Sequence, residues 1–539
     1  MSWPKFRGGE TVSFNGFSCL ITSRSRLARV FLTNRLAHVL LTNRVLPHRY
    51  QIDRRGQYFL DAHGLTEKLA AVSVDTREFT LTKMPAEGER KEMTLPIIDN
   101  TRPTAYWLPR SVFQQLLYSE VEAKYSAQVK VFYSSTCDSI ERVQGGSGIE
   151  VRVSSDGKET GEKVFRPRLL VGADGLKSMV RQRLRSWDEE ATGGGTDQGA
   201  SDSKGLGRFD MRKQPSGSSG LRYKVLTMAP SFRLGYDNDE ERARSDKAYA
   251  IVSKFTDAKR AIRVGILPWG PPGGDREEAP RGGNFITVPG HPMWDLKTLE
   301  EIKTFLTENF PQTPVAEGVS DAELSRFVQS EGGRFPDPQY CPGLQWVVGS
   351  SQGGAEAGEG SPSATEGLQS AGGVALMGDA IHAFPPDLGQ GVNSALEDVV
   401  VLERALESCG DCVETALPAY EQARAADSKA LVRLCQIGYP WQYRQPATMQ
   451  SRLWAANFFL RTFFLNKVFP KIFGEQVFMM IQTGYDKRYS EILANATQTT
   501  RRICYTAAAI ALAVIFRRRV DVGVRSVVAG VASLASRAF

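Results

Sequence analysis

The run "VALMGDAIHAFPPDLGQGVNSALEDVVVLERAL", from Val374 to Leu406, constrains the fold more than any other stretch of this chain. Its apolar lead-in has no polar alternation and stops at Gly378, the pattern of a short buried strand. From Val392, the residues Ala395, Leu396, Val399, Leu402, Ala405 and Leu406 recur at three- and four-residue spacing. That spacing predicts a helix with one face in a core. Between strand and helix lies a loop with glycines at 378, 389 and 391 and little side-chain cover. A strand, a glycine-flanked loop and a helix N-terminus let backbone N–H groups face an anionic or strongly hydrogen-bonding ligand. Asp379, at the strand end, is then free to accept hydrogen bonds from hydroxyls. A tight turn leading into a capped helix is the structural alternative for the same pattern.

At 539 residues the chain is long enough for more than one core. Its 67 basic and 60 acidic residues leave a formal charge of only +7. No dense Lys/Arg block is interleaved with aromatics, so no nucleic-acid partner is expected. Seven cysteines do not make a disulfide scaffold in so long a chain, and the odd count points to a reducing compartment. Cys409 and Cys412 have the spacing of a redox dithiol, but they follow a helix, with no second pair and no adjoining thioredoxin-like strand. They read as structural, and no metal site is expected.

Patterning predicts an α/β chain of several parts. Residues 1–52 are atypical: no acid occurs from Thr11 to Ile52, while Arg24, Arg26, Arg29, Arg35, Arg44 and Arg49 lie among Ser, Thr and Leu. This is the composition of a transit segment or of a misassembled stretch. Residues 53–188 alternate helical and strand patterns and form the first part of the main domain. Residues 189–220 are Gly/Ser-rich and read as a disordered insertion. Residues 221–348 combine alternating strands with a helix, as in a second domain with a covered sheet. A second disordered insertion, 349–373, precedes the return of 374–412 to the first domain. Residues 413–502 are helical and rich in aromatics. Within 503–539, Ile503–Phe516 is uncharged but fourteen residues long, short of the roughly 20 needed to span a bilayer. Arg501 and Arg502 precede it and Arg517, Arg518 and Arg519 follow, which suits a membrane anchor at the interface or across a thinned bilayer. A core helix is the alternative.

Two separated motifs carry a family resemblance. "LLVGADGLKSMVR", Leu169 to Arg181, resembles the second fingerprint of the flavoprotein aromatic hydroxylases, and "LMGDAIHAFPPDLGQGVNSALED" resembles their third. Within that family the chain is most similar to the kynurenine 3-monooxygenases, through "IDRRGQYFLDAHGLTEKL", "LTENFPQ", "GVNSALED" and the late "FPKIFGEQVFMMI". The resemblance implies a Rossmann-like FAD-binding domain with an inserted sheet-and-helix substrate domain and a helical C-terminal region. It implies FAD and NADPH as cofactors, oxygen and a small aromatic molecule such as kynurenine as substrates, and membrane lipid at the C-terminus. The implied location is a membrane, with the mitochondrial outer membrane first and another organelle or the cytoplasm as alternatives. FAD contacts fall on Arg110, Asp174, Gly175, Arg181, Gly378, Asp379, Pro386, Gly389, Gln390, Gly391, Val392 and Asn393. Asn393 and Tyr439 fall beside the reacting atoms.

The family's opening strand, Gly-x-Gly-x-x-Gly turn and helix do not occur in this sequence. The arginine that holds the substrate carboxylate in kynurenine hydroxylases is matched by Phe79, with Arg77 two residues earlier, and its partner tyrosine by Ile97. Two alternatives to a kynurenine-type hydroxylase therefore stand. One is an inactive membrane-attached remnant with a binding or scaffolding role. The other is a flavin monooxygenase acting on a different substrate.

Overall fold

A computed structural model describes residues 15–22, 37–42, 49–95, 100–133, 135–143, 148–155, 163–192, 206–236, 241–268, 280–349, 372–470 and 472–535. The chain divides into two compact units, Met1–Ala447 and Thr448–Phe539.

The first unit is built on two large sheets. In the six-stranded sheet the order is Gln345–Val347, Gly373–Leu376, Leu169–Gly172, Asn15–Thr22, Ala37–Thr42 and Val129–Tyr133. The two motif strands are parallel neighbours, running from Leu169 opposite Gly373 to Gly172 opposite Leu376. Both are fully buried, as uninterrupted apolar runs covered on both faces must be. Leu170, Val374 and Leu376 pack with Leu184 and Trp187, and with Leu402, Leu406, Leu417 and Tyr420. Each such aliphatic side chain contributes about 1.5–3 kcal/mol by leaving water. Gly172 admits no side chain, because a Cβ there would lie 2.7 Å from Val180.

The 1–52 segment takes a place that its composition does not suggest. Asn15–Thr22 and Ala37–Thr42 fill the middle of this sheet, so the transit-like expectation is replaced by two strands of the fold. The physical reason is that "FSCLIT" and "HVLLT" are short apolar runs bounded by polar residues. Between them they pair with the backbone edges of Leu169–Gly172 and Val129–Tyr133. Asn15–Thr22 runs antiparallel to Leu169–Gly172, with Thr22 opposite Leu169. The chain therefore leaves that strand at the end of the sheet away from Asp174 and Gly378. Among the described residues no glycine-rich strand-to-helix turn stands at the motif end.

The seven-stranded sheet has the order Gly333–Arg334, Arg222–Met228, Arg281–Thr287, Arg263–Ile266, Ala248–Val252, Phe79–Met84 and Lys91–Leu95. Helices Leu299–Asn309 and Asp321–Gln329 belong to the same core, where Leu226, Ile251, Val264, Ile266 and Phe285 meet Ile302, Leu306 and Phe327. Thr298 and Glu301 form a reciprocal capping box that starts the first helix. The expected domain boundaries shift in four places. Residues 79–95, assigned to the first domain, are edge strands of this second sheet, because Phe79–Met84 pairs in parallel with Ala248–Val252. Gln339–Val347 already belongs to the first domain, through pairing with His382–Ala383 and Gly373–Leu376. Residues 206–220, expected to be disordered, are held in place. Phe209 is buried against Trp346 at 6.1 Å and Arg208 grips both oxygens of Glu421 at 2.8 and 2.9 Å. The first residues of that insertion, 189–191, end the helix Met179–Ala191; residues 193–205 lie outside the described residues, as do 350–371 of the other insertion. Finally, the helix Val413–Ile437 is part of the first domain, since Val413, Ala416, Leu417 and Tyr420 complete its core.

The second unit is helical. Buried Tyr489, Ile492 and Ala496 start a helix that runs from Tyr489 to Ala535, alongside buried Val477 and Ile481 of the short helix Val477–Thr483. The fourteen-residue apolar run is thus one part of a longer helix. Its segment Tyr489–Arg517 is long and apolar enough to cross a membrane, and residues 504–517 of it are exposed. Phe459, Phe463, Phe464 and Phe469, in the preceding helical turns, are exposed as well.

Candidate active site

The loop between Leu376 and Val392 turns through Gly378 and Gly389, whose φ values of +60° and +66° belong to the left-handed region that glycine adopts without steric cost. Beyond it, the helix Gly391–Ser408 begins with no side-chain cap. Its first N–H groups are accordingly left for another partner. A Cβ on Gly391 would meet nothing within 4 Å, so the approach to that helix start is open.

Most polar side chains of the loop serve to hold it. Asn393 is fully buried; its Nδ2 donates to Gln51 O at 2.9 Å and Gly389 O at 3.0 Å, and its Oδ1 accepts from Asp53 N at 3.1 Å. Gln390 donates to Asp53 Oδ2 at 2.7 Å. Asp53 also caps the helix Arg54–Ala62 by accepting from Arg55 and Gly56. Gly56 is required there, since a Cβ would stand 2.3 Å from Asn393 Oδ1. Asn393, expected beside the reacting atoms, and Gln390, expected on the cofactor, hold the loop through these bonds. The side-chain amide of Asn393 is thus bonded inside the protein at both its nitrogen and its oxygen. Asp53 was missed at the sequence level, where a helix-capping aspartate is indistinguishable from one that also bonds a distant loop.

Behind the loop lies a buried ion network. Asp398 accepts from Gly378 N at 2.7 Å, His382 Nε2 lies 2.9 Å away, and Arg424 Nε donates to its other oxygen at 2.6 Å. Asp398, Arg424 and His382 are at most 1% exposed. Burial pushes the Asp398 carboxyl up, but His382, Arg424 and the Gly378 N–H outweigh it and hold the group below its ordinary range. His382 is a packed member of this network.

Asp379 is different. Its side chain is exposed, although dense protein surrounds it, the condition of a group lining a recess. Enclosure raises its pKa, opposed by His382 and Arg110 and reinforced by Asp398. No hydrogen bond to its carboxylate is present among the described residues. Arg110, the first residue of the helix Arg110–Tyr125, faces the same space, where its charge also acts on Tyr50 and Tyr223. Pro386 begins the short turn Pro386–Leu388, and Val392 packs against the core of the Arg54–Ala62 helix.

The residues of the "GADG" motif are committed elsewhere. Asp174 Oδ2 accepts from Met179 N at 2.6 Å and Val180 N at 3.1 Å, which caps the helix Met179–Ala191. Gly175, with φ of +79°, permits the turn. Arg181 is 7% exposed and donates to Ala380 O at 2.6 Å and Leu176 O at 2.7 Å. Arg181, expected on the cofactor, ties the two motif loops together through these bonds. Tyr439 lies near Arg263 of the seven-stranded sheet, in company with Tyr443. Phe79 is stacked on Trp107 with ring centroids 5.6 Å apart, an apolar pairing with no place for an anion. Arg77 is exposed and donates to Asn100 O at 3.0 Å; Ile97 lies outside the described residues.

A family model described as "FAD binding domain" matches residues 49–197 and 364–435, the two stretches that contribute this loop, its ion network and the "GADG" turn. That match spans less than half of the chain. The chain is 29% identical over 147 residues to a kynurenine 3-monooxygenase of Caenorhabditis briggsae, covering 26% of this chain and 31% of that protein. It is 47% identical over 66 residues to one of Salinispora tropica, covering 12% and 14%. An FAD-dependent urate hydroxylase of Mycolicibacterium vanbaalenii is 46% identical over 59 residues, covering 11% and 15%. The chain therefore matches less than a third of the length of these relatives. Among solved structures, P. aeruginosa PqsL in complex with 2-aminobenzoylacetate aligns with a TM-score of 0.45 and 20% identity, over 74% of this chain and 87% of that one.

The recess fits the flavin half of FAD. It offers an unbonded carboxylate at Asp379 for hydroxyls, an uncapped helix start at Gly391 for a hydrogen-bond acceptor, and the Arg110 cation. For the pyrophosphate end, the described residues supply no equivalent of a glycine loop.

Proposed function

We propose that this chain is an FAD- and NADPH-dependent monooxygenase that hydroxylates a small aromatic substrate such as kynurenine. The observation that carries the reading is the pairing of Asp379, enclosed and unbonded, with the open, uncapped start of the Gly391–Ser408 helix. Bound FAD would supply the electron transfer and oxygen activation that no amino-acid side chain provides. Asp379 would accept hydrogen bonds from the ribityl hydroxyls. The N-terminal N–H groups of the helix would face the pyrimidine edge and stabilise negative charge there. Arg110 would balance the charge of Asp379. Asn393 and Gln390 would keep the helix start in place, and the apolar sheet wall would exclude water from the reacting ring.

A second reading has a specific observation behind it. The reversed strand Asn15–Thr22 stands where a glycine fingerprint would be expected, which favours a chain that holds flavin weakly or serves as a binding remnant. Titration of the purified full chain with FAD, followed by flavin absorbance and fluorescence quenching, separates the two. Saturable binding with NADPH-dependent bleaching supports the enzyme; free flavin throughout supports the remnant.

We further propose that the C-terminal helix attaches the protein to a membrane. Tyr489–Arg517 is apolar and exposed over residues 504–517, with arginines at 501, 502 and 517 that would reach headgroups. A chain stopped after Thr500 keeps the bond from Arg461 to Thr500 Oγ1 at 2.6 Å. The full chain is expected to require detergent for release after a high-salt wash, and the shortened chain to remain soluble. Solubility of both would end the anchor reading.

A further inference from the structure

The segments 214–220 and 436–445 both lie outside the stretches matched by the FAD-binding model, yet they are joined to each other and to the glycine-rich loop. Glutamine side chains make the join. Gln436 Nε2 donates to Gln214 O at 3.0 Å and Pro215 O at 2.9 Å, and Gln445 Nε2 donates to Gly217 O at 2.8 Å. Gln442 Nε2 donates to Asp387 O at 2.9 Å. Trp441 closes over Gly217, where a Cβ would stand 2.6 Å from its ring. A stretch with the composition of a loop is thereby clasped by the end of the helix Val413–Ile437 and the residues that follow it.

At the centre of the clasp is Asp387, in the turn Pro386–Leu388 between Asp379 and the helix start at Gly391. Ser218 Oγ donates to its Oδ2, and the Tyr443 hydroxyl donates to the same carboxyl. Asp387 and Ser218 are both buried. The Cys435 thiol, buried on the helix Val413–Ile437, is the other titratable group near the carboxyl, while Arg263 acts on the Tyr443 phenol. No basic side chain among the described residues pairs with Asp387, and its Oδ1 is buried without a hydrogen-bond partner. A neutral carboxylic acid tolerates such a place, whereas a carboxylate there has hydroxyl donors but no counter-charge and no water. Burial accordingly pushes the pKa up to about 7, against the pull of Ser218 and Tyr443.

We propose that Asp387 is a positioning residue that latches the glycine-rich loop to the segments 214–220 and 439–445, and so holds Asp379 and the Gly391 helix start in register for the flavin. The latch is closed when the carboxyl carries its proton. An Asp387 released to water has an ordinary carboxylate pKa of 3.8, below its value in the clasp. Closure is therefore strongest at low pH and weakens as pH rises through about 7. Asp387 is surrounded by protein groups, so its effect reaches the flavin site through the loop backbone. The role in flavin binding rests on the monooxygenase reading; the latch itself does not.

Hydrogen–deuterium exchange of the full chain at pH 6 and pH 8, corrected for intrinsic rates and read by mass spectrometry, tests the latch. In the wild type, peptides spanning 384–392 and 214–220 are expected to lose about 10-fold in protection between the two pH values, the factor by which ionisation in water outruns ionisation in the clasp. A peptide spanning 281–287 of the seven-stranded sheet should not change. Asp387→Asn, which keeps the shape and cannot ionise, is expected to show equal protection at both pH values, at the wild-type level of pH 6. Ser218→Ala should lower loop protection already at pH 6. If Asp387→Asn does not fold, as judged by circular dichroism, Ser218→Ala and the wild type decide. Protection that is independent of pH in the wild type, the same pH dependence in Asp387→Asn, unchanged protection in Ser218→Ala, or an equal change in 281–287 would overturn the latch. FAD titration of the same samples separates the two claims. Loop protection that follows pH as stated without any flavin binding defeats the monooxygenase reading and leaves the latch standing; flavin binding with pH-independent loop protection does the reverse.

Discussion

Two groups of charges flank the same glycine-rich loop and are treated in opposite ways. Behind it, Asp398, Arg424 and His382 are excluded from water, and the latter two both bond Asp398. In front of it, Asp379 and Arg110 are close enough for their charges to interact, with no hydrogen bond to Asp379 among the described residues. Closed networks define the shape of the loop. Groups left open within an enclosed space define what can bind there.

The sharpest way to break this comparison is to remove one member of the closed network. Asp398→Ala leaves Arg424 and His382 buried without their anion and the Gly378 N–H without its acceptor. A loss of about 3–5 kcal/mol in unfolding free energy is expected by urea denaturation. A loss below about 1 kcal/mol would show that the network does not hold the loop.

An intermediate effect is expected at Asp387, which is 3% exposed and whose pKa is pushed up to about 7 by burial, against the pull of Ser218 and Tyr443. A carboxyl whose folded pKa lies above its unfolded value favours folding when protonated. That contribution is complete below the unfolded pKa of 3.8 and is lost as pH rises through about 7. Asp387→Asn removes the charge, so its stability relative to wild type should improve by about 1–3 kcal/mol between pH 5 and pH 8. Thermal unfolding at the two pH values measures this, and a pH-independent difference would contradict the assignment.

The smallest effect on stability is expected at Asp379. Asp379→Ala deletes an enclosed carboxylate with no hydrogen bond to lose, so unfolding free energy should change by less than about 0.5 kcal/mol. In a flavin titration the same variant should lose about 1–3 kcal/mol of binding, the value of hydrogen bonds to a charged acceptor in a dry site. A large loss of stability with unchanged flavin affinity would assign Asp379 to the scaffold.

Much of the site was legible because glycine and strand signals are local. Gly378 and Gly389 adopt the left-handed turns that their setting implies, and Val374–Met377 and the helix from Gly391 fall where apolar spacing places them. What could not be read was which polar side chain faces in and which faces out. Asn393 and Asp379 are equally polar in the sequence. One is enclosed by three internal partners and the other borders a recess, because Gln51 and Asp53 arrive from more than three hundred residues away. The strands in 15–22 and 37–42 were hidden for another reason. Their composition is poor in acids, but strand pairing depends on backbone groups and short apolar runs, which the arginines between them do not disturb.

The sequence by itself determined the local elements and the order of the two motif strands, since the periodicities of helix and strand and the turn requirements of glycine act over a few residues. It also marked a long apolar C-terminal run. Tertiary structure alone decided that residues 79–95 leave the first domain to edge the second sheet, and that 206–220 are fastened to the first domain through Phe209 and Arg208. Each of these depends on backbone pairing or burial between segments far apart in the chain. Whether a charge is answered by a protein partner or left for a ligand is settled only when those segments close around it.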